Sequence, residues 1–146
     1  MRTRLAAGSV LNLRQTEMFG IPLHLFIIHF PIALTVVAAA YDSWALYAKK
    51  PILHRASYGM TLWAAAAALA AAGTGLQLAQ SAGIDKGAVT GHAGFAIVST
   101  IVLLGVGGAR YSAQAREQKE YQIWWLALEI AAAALIMATA VTGHRL

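Results

Sequence analysis

Four stretches of the chain are almost wholly apolar, and each is close to the ~20 residues that a helix needs to cross the hydrocarbon of a bilayer. They cover about residues 22–46, 58–78, 91–110 and 122–142. Apolar residues run on through each stretch without the alternation of a half-buried strand. In lipid the backbone must satisfy its own hydrogen bonds, which only helices and closed barrels achieve, so the pattern predicts four transmembrane helices. Pro22 suits the first turn of the first helix, where its missing N–H is not needed. The links KKPILHRAS, AQSAGIDKGAVT and YSAQAREQKEY are short, which makes successive helices antiparallel neighbours. The expectation is an all-α, polytopic membrane protein: one transmembrane domain over residues 1–146, folded as an up-down four-helix bundle with both termini on one side, termed side A. No internal repeat stands out. Residues 1–20 begin with positive charge but lack a continuous apolar core, so they do not read as a cleavable signal and are expected to form an arm along the membrane surface. In the second helix, small residues from Ala64 to Ala72, interrupted by Leu69, continue to Gly73 and Gly75 and permit close helix approach.

Composition sharpens this picture. Hydrophobic residues make up 59% and charged residues 12% of the chain, with a mean hydropathy of +0.60; soluble domains carry roughly twice that share of charge. The absence of cysteine excludes disulfides, thiolate metal sites, cysteine-ligated iron–sulfur clusters and c-type haem attachment. The net charge of +5 comes from basic residues flanking apolar runs, as headgroup and topology signals do; nothing points to nucleic acid. Tyr41, Trp44 and Tyr47 close the first helix, and Tyr121, Trp124 and Trp125 open the fourth, forming an aromatic belt at the opposite end, side B.

Candidate chemistry lies with the histidines. Residues 23–34, LHLFIIHFPIAL, place His24 near side A and His29 about 7.5 Å deeper, at 1.5 Å per residue. His92 begins the third helix from the same side, and His144 follows the fourth. Four of the five histidines thus share one end of the bundle and come from three helices, as a site between helices requires; His54 lies at the other end. Opposed imidazoles hold a b-type haem without thiolates. His29 and His92 are the preferred axial pair, because a polar side chain inside an apolar span is a functional-site candidate. His24 and His144 are alternates or a second pair, so the cofactor expected is haem b, one or two. A spacing of five residues turns a helix by about 140°, so His24 and His29 do not chelate one small ion together. Pro31 removes a helical hydrogen bond to the carbonyl of Ile27, and a kink there would open the helix beside His29.

HLFIIHFPIAL with Asp42, TGL at residues 74–76, His92 and VTGH at residues 141–144 resembles a family of bacterial four-helix membrane proteins of unknown function. Its mark is a His-Pro-x-x-x-His-Phe-Pro-Ile pattern in the first helix, which falls here on His24, His29, Phe30, Pro31 and Ile32, with Leu25 where the family has proline. The resemblance implies the four-helix fold and a bacterial plasma-membrane location.

Two carboxylates complete the inventory. Glu129 lies about two turns into the fourth helix from side B, and Asp42 about one turn from the same end of the first. Buried carboxylates must be neutral or paired; both are candidates for a proton path or quinone contact, while the plainer expectation bonds a protonated Glu129 to a neighbouring hydroxyl and turns Asp42 toward Lys49 or Lys50. Thr74, Gln77 and Gln80 approach side A, where they could bond a propionate or a histidine's second nitrogen. No nucleophile–base constellation, phosphate loop or carboxylate dyad is present, which argues against a self-contained enzyme. The expected function is a membrane-embedded haem b electron-transfer subunit, with the bilayer, other membrane or periplasmic redox subunits and a quinone as partners. The alternatives are a non-redox structural subunit and a copper- or zinc-handling protein.

Basic residues on side B are Lys49, Lys50, Arg55, Arg110, Arg116 and Lys119; side A has Arg2, Arg4, Arg14, Lys86 and Arg145. Because Arg2 and Arg4 lie furthest from a helix, the positive-inside rule places side B in the cytoplasm and both termini outside. A reporter fused after Leu146 should be active only on the non-cytoplasmic side; cytoplasmic activity would reverse the orientation.

Overall fold

A computed structural model describes residues 17–18, 21–82, 86–116 and 123–143. A two-residue antiparallel bridge, β1 (Glu17–Met18) with β2 (Ile21–Pro22), leads directly into the helices. They are α1 (Leu23–Ile27), α2 (His29–Ala48), α3 (Pro51–Ala82), α4 (Lys86–Ala115) and α5 (Ile123–Gly143). Helices α1 and α2 together form the first span, and α3, α4 and α5 the second, third and fourth. All four spans are long and apolar enough to cross a membrane. Apart from β1, the expected surface arm lies outside the described residues. Pro22 belongs to β2, so helical structure begins one residue later than expected.

The second and third spans are longer than their apolar runs, and the connections correspondingly shorter. Polar residues at the ends of α3 and α4 continue the helix beyond the hydrophobic run, since a helix needs no apolar side chains once it leaves hydrocarbon. The first connection shrinks to Lys49 and Lys50. Lys49 adopts a left-handed conformation (φ 54°, ψ 42°), and both its N–H and that of Lys50 bond back to the Ala45 carbonyl. This caps α2 as a left-handed residue usually does. Pro51 then opens α3 at the position where its missing N–H costs nothing. The first span is interrupted at Ile28, three residues before Pro31. Pro31 has no N–H to offer the Ile27 carbonyl, while the Thr35 hydroxyl bonds the Pro31 carbonyl at 2.6 Å.

Around the bundle the spans follow chain order, each packed on the next and the fourth on the first. Large apolar side chains such as Trp63, Leu69, Leu76, Ile97, Ile101, Ile130 and Val141 point outward. The core is narrow and made mainly of alanine: Ala38, Ala45, Ala64, Ala65, Ala68, Ala71 and Ala132, with Leu103, Val106 and Ile136. Lipid tails are as apolar as leucine, so such helices gain from close packing of small residues and from hydrogen bonds between them.

The buried positions recur along the chain at a constant interval. Thr35, Ala38 and Asp42 in the first span correspond to Leu103, Val106 and Arg110 in the third; Thr61, Ala64 and Ala68 in the second correspond to Glu129, Ala132 and Ile136 in the fourth. Members of each pair stand 68 positions apart, and Asp42–Arg110 and Thr61–Glu129 also bond directly to one another. The two helical pairs therefore turn equivalent faces inward, giving the bundle a two-fold pseudosymmetry along the helix direction. This corrects the expectation of no internal repeat. The repeat lies in burial and geometry, because residues meeting near an axis must complement their counterparts rather than match them.

Ala64 and Ala132 are both fully buried at equivalent positions. Replacing Ala64 with Leu should overpack the seam and destabilise the bundle by about 1–3 kcal/mol, measured by reversible unfolding in mixed micelles. The same change at lipid-facing Ala66 should be nearly neutral.

Candidate functional site

Two polar centres occupy opposite ends of the bundle. At side A, His24 in α1 donates from Nδ1 to the Ala71 carbonyl of α3 at 3.0 Å, with Thr74 Oγ1 3.3 Å from the same nitrogen. His92 in α4 donates from Nδ1 to the Thr139 carbonyl of α5 at 3.0 Å. Each bond spans 47 positions, and His24 and His92 are themselves 68 apart, so the two histidines are equivalents under the pseudosymmetry. Each ring lies against a glycine four residues beyond its carbonyl partner. A Cβ on Gly75 would stand 2.8 Å from His24 Cε1, and one on Gly143 would stand 2.8 Å from His92 Cε1. Any side chain at either glycine would displace the imidazole. A Thr-Gly dipeptide, Thr74–Gly75 or Thr142–Gly143, supplies the mount in each half of the chain.

The chemistry follows from the tautomer. A carbonyl only accepts, so Nδ1 carries the proton in both rings, and Nε2 keeps the lone pair that ligates iron, copper or zinc. Anchoring one ring nitrogen on a backbone carbonyl is the usual way a ligating imidazole is oriented.

The histidines are not arranged as the sequence suggested. His29 is exposed on the outer surface, and its Nδ1 donates to the Leu25 carbonyl of its own helix at 2.6 Å. Its equivalent is Ile97, 57% exposed, so this register faces lipid in both halves. Depth within the apolar run suggested a core role, but the five-residue spacing that turns His24 inward turns His29 away. The interruption near Pro31 therefore opens no inward pocket for His29. His144 lies outside the described residues. Thr74 does contact a histidine's second nitrogen, as expected, while Gln77 and Gln80 remain exposed. Among the described residues, no three His, Asp or Glu side chains come together as a cage for a metal ion.

At side B the sequence indicated parts of a centre but not its middle. Arg110 is buried among all four spans. Its Nη1 donates to Asp42 Oδ2 at 2.9 Å, Glu129 Oε1 at 2.7 Å and Ser57 Oγ at 3.1 Å; its Nη2 reaches the His54 carbonyl at 3.1 Å. Asp42 Oδ1 accepts from His54 Nδ1 at 2.9 Å, and Glu129 Oε1 accepts from the Thr61 hydroxyl at 2.5 Å. Glu129 does bond a hydroxyl, as expected, but Asp42 turns inward to Arg110 and His54 rather than to Lys49 or Lys50. The cause is the cost of an unpaired buried charge: once Asp42 faces the core, it needs a cation there. Arg110 is thus no headgroup-facing residue. Without it the basic tally is five against five, and the orientation rests on the remoteness of Arg2 and Arg4 alone. The signal that would have revealed Arg110 and Thr61 is the 68-residue interval, which sets Arg110 against Asp42 and Thr61 against Glu129; no such signal marks His54 or Ser57.

A family model described as Predicted membrane protein (DUF2231) matches residues 20–146. No curated protein and no solved structure matches the chain.

Removing the central cation tests what this cluster contributes. Arg110→Met leaves two buried carboxylates without compensation and should cost about 3–5 kcal/mol, read as earlier unfolding and lower yield from membranes. Adding Asp42→Asn and Glu129→Gln to that variant should recover much of the loss.

Proposed function

This chain belongs to the family of predicted membrane proteins DUF2231, and we propose that it is a membrane-embedded electron-transfer subunit holding one b-type haem near side A, with His24 and His92 as the axial ligands. The observation that carries the reading is the matched pair of mounts. Two imidazoles at pseudosymmetric positions each have Nδ1 fixed by a carbonyl, Nε2 left to ligate, and a glycine kept clear for the ring. Two imidazoles alone are a poor cage for a small ion. They suit iron that brings four equatorial nitrogens of its own, and a planar apolar macrocycle suits the interior of a helical bundle.

Held by His24 and His92, a haem iron would supply one-electron exchange. The chain's residues would do the rest. The Ala71 and Thr139 carbonyls set ring orientation and enrich the ligating nitrogens. Gly75 and Gly143 let the rings lie close to α3 and α5. The apolar exterior keeps the site in a bilayer, where membrane or periplasmic redox subunits, or a quinone, would exchange electrons with it.

Protein purified from haem-replete cells should be red, with a low-spin b-type difference spectrum. His24→Ala and His92→Ala should each abolish that spectrum, whereas His29→Ala and His54→Ala should keep it. Gly75→Ala and Gly143→Ala should lower haem affinity about tenfold or more, as disturbing an outer-shell contact does. A colourless protein with intact helical content would return the chain to a structural role; retention of the low-spin spectrum in the His24 variant would remove that ligand.

A further inference from the structure

The positive charge of side B is not shared evenly between the two halves of the chain. The turn from α2 to α3 and the first residues of α3 carry Lys49, Lys50 and Arg55, all exposed. No aspartate or glutamate stands between Asp42 and Asp85, and Asp42 is fully buried against Arg110. Among the described residues every ion pair lies in the buried cluster, and none includes these three cations. In the sequence their counterparts 68 positions on are Glu117, Gln118 and Ile123. The pseudosymmetry that repeats the core therefore does not repeat this charge. A topology signal needs only an excess of cations on one side of the membrane; three cations at one corner, with no anion beside them, ask for a further cause.

The frame that carries them is rigid. Only Lys49 and Lys50 separate a helix of 20 residues from one of 32. Both lysine N–H groups bond to the Ala45 carbonyl, and the Leu53 N–H bonds to the Lys50 carbonyl at 3.1 Å. Cations on such a frame have less freedom to lose on binding than cations in an open loop. Their depth suits the lipid headgroups. The apolar span Pro51–Gln80 has 30 residues, about 45 Å at 1.5 Å per residue, against about 30 Å of hydrocarbon. Shared between the two ends, the excess leaves about 7 Å, or about five residues, outside hydrocarbon at each end. Arg55 then falls at the edge of the hydrocarbon, and Lys49 and Lys50 fall in the headgroup layer. Trp44 and Tyr47, 57% and 82% exposed, pair their rings at 5.6 Å near the end of α2, where interfacial aromatic residues mark the same level.

We propose that this corner is a binding site for the phosphate of an anionic phospholipid in the side-B leaflet, with Lys49, Lys50 and Arg55 as its cations. A guanidinium meets phosphate through two parallel donors, and a lysine meets it as a point charge. The acyl chains descend over the apolar exterior of the bundle, which exposes large side chains such as Ile52 and Trp63 along α3. A headgroup that carries a cation of its own, as phosphatidylcholine does, meets repulsion from the same three residues, so the corner selects for net negative charge. The site lies outside the buried cluster and does not depend on haem at side A.

The experiment counts, by native mass spectrometry, the lipid retained by the full-length protein extracted from vesicles of phosphatidylglycerol and phosphatidylcholine in equal amounts. The wild type should retain phosphatidylglycerol in preference. Arg55→Gln should lower that preference about fivefold, the effect of one cation near an anionic headgroup, and the triple variant Lys49→Gln, Lys50→Gln, Arg55→Gln should bring it to parity. Arg116→Gln removes one exposed charge at the other corner of side B and should leave the preference unchanged. A wild type that retains both lipids equally would overturn the proposal. So would a triple variant that keeps the wild-type preference, or an Arg116 variant that loses as much as the Arg55 variant, since the charge would then act only diffusely. Loss of the retained lipid on adding inorganic phosphate would assign the corner to a free anion and overturn the lipid. The wild-type measurement decides the matter even if a variant fails to fold.

Discussion

A buried arginine holds this bundle together. Arg110 leaves the third span and meets a carboxylate of the first, a hydroxyl and a carbonyl of the second, and a carboxylate of the fourth. A guanidinium suits that task because its donors are fixed in a planar fork and it does not lose its charge. In lipid the apolar surfaces of helices gain little from meeting one another, so the polar contacts and the tight alanine seam must specify the arrangement. The cluster sits about one turn inside side B and fixes which faces of the four spans point inward. The same rotation carries His24 and His92 to their mounts at side A and turns His29 to lipid.

The two-fold pseudosymmetry explains why charges of opposite sign occupy equivalent positions. Near such an axis a residue meets its own counterpart. Two aspartates or two arginines would repel in a low-dielectric interior; Asp42 against Arg110 attracts. Thr61 against Glu129 likewise sets a donor against an acceptor. Several other equivalents are alike: Ala64 with Ala132, His24 with His92, Gly75 with Gly143.

The two polar centres divide the molecule by chemistry. At side A, a backbone carbonyl accepts from each imidazole, and the glycines contribute by the absence of a side chain. At side B, charged groups face one another, and His54 is the more exposed at 15%, against 6% for Arg110 and none for Asp42 or Glu129. Separation along the helices gives each centre its own surroundings within four spans.

The sequence by itself determined the all-α class, the four spans, their up-down order and the clustering of histidines at one end. These follow from hydrophobic run length, link length and the bilayer's demand that backbone groups pair internally, all of which are one-dimensional quantities. It also marked Asp42, Glu129 and His29 as polar groups out of place in lipid, with His92 as the partner expected for His29. Only the tertiary structure decided which histidine faces inward. Depth along a helix is read by counting residues, whereas direction around it depends on how the helix is rotated against its neighbours. His29 has the depth of a core residue and the direction of a lipid-facing one. Arg110 shows the converse: its place near a helix end reads as a headgroup contact, yet rotation puts it among four helices. The repeat shows most fully in three dimensions, because burial and pairing recur between the halves while the residues that pair across the axis differ.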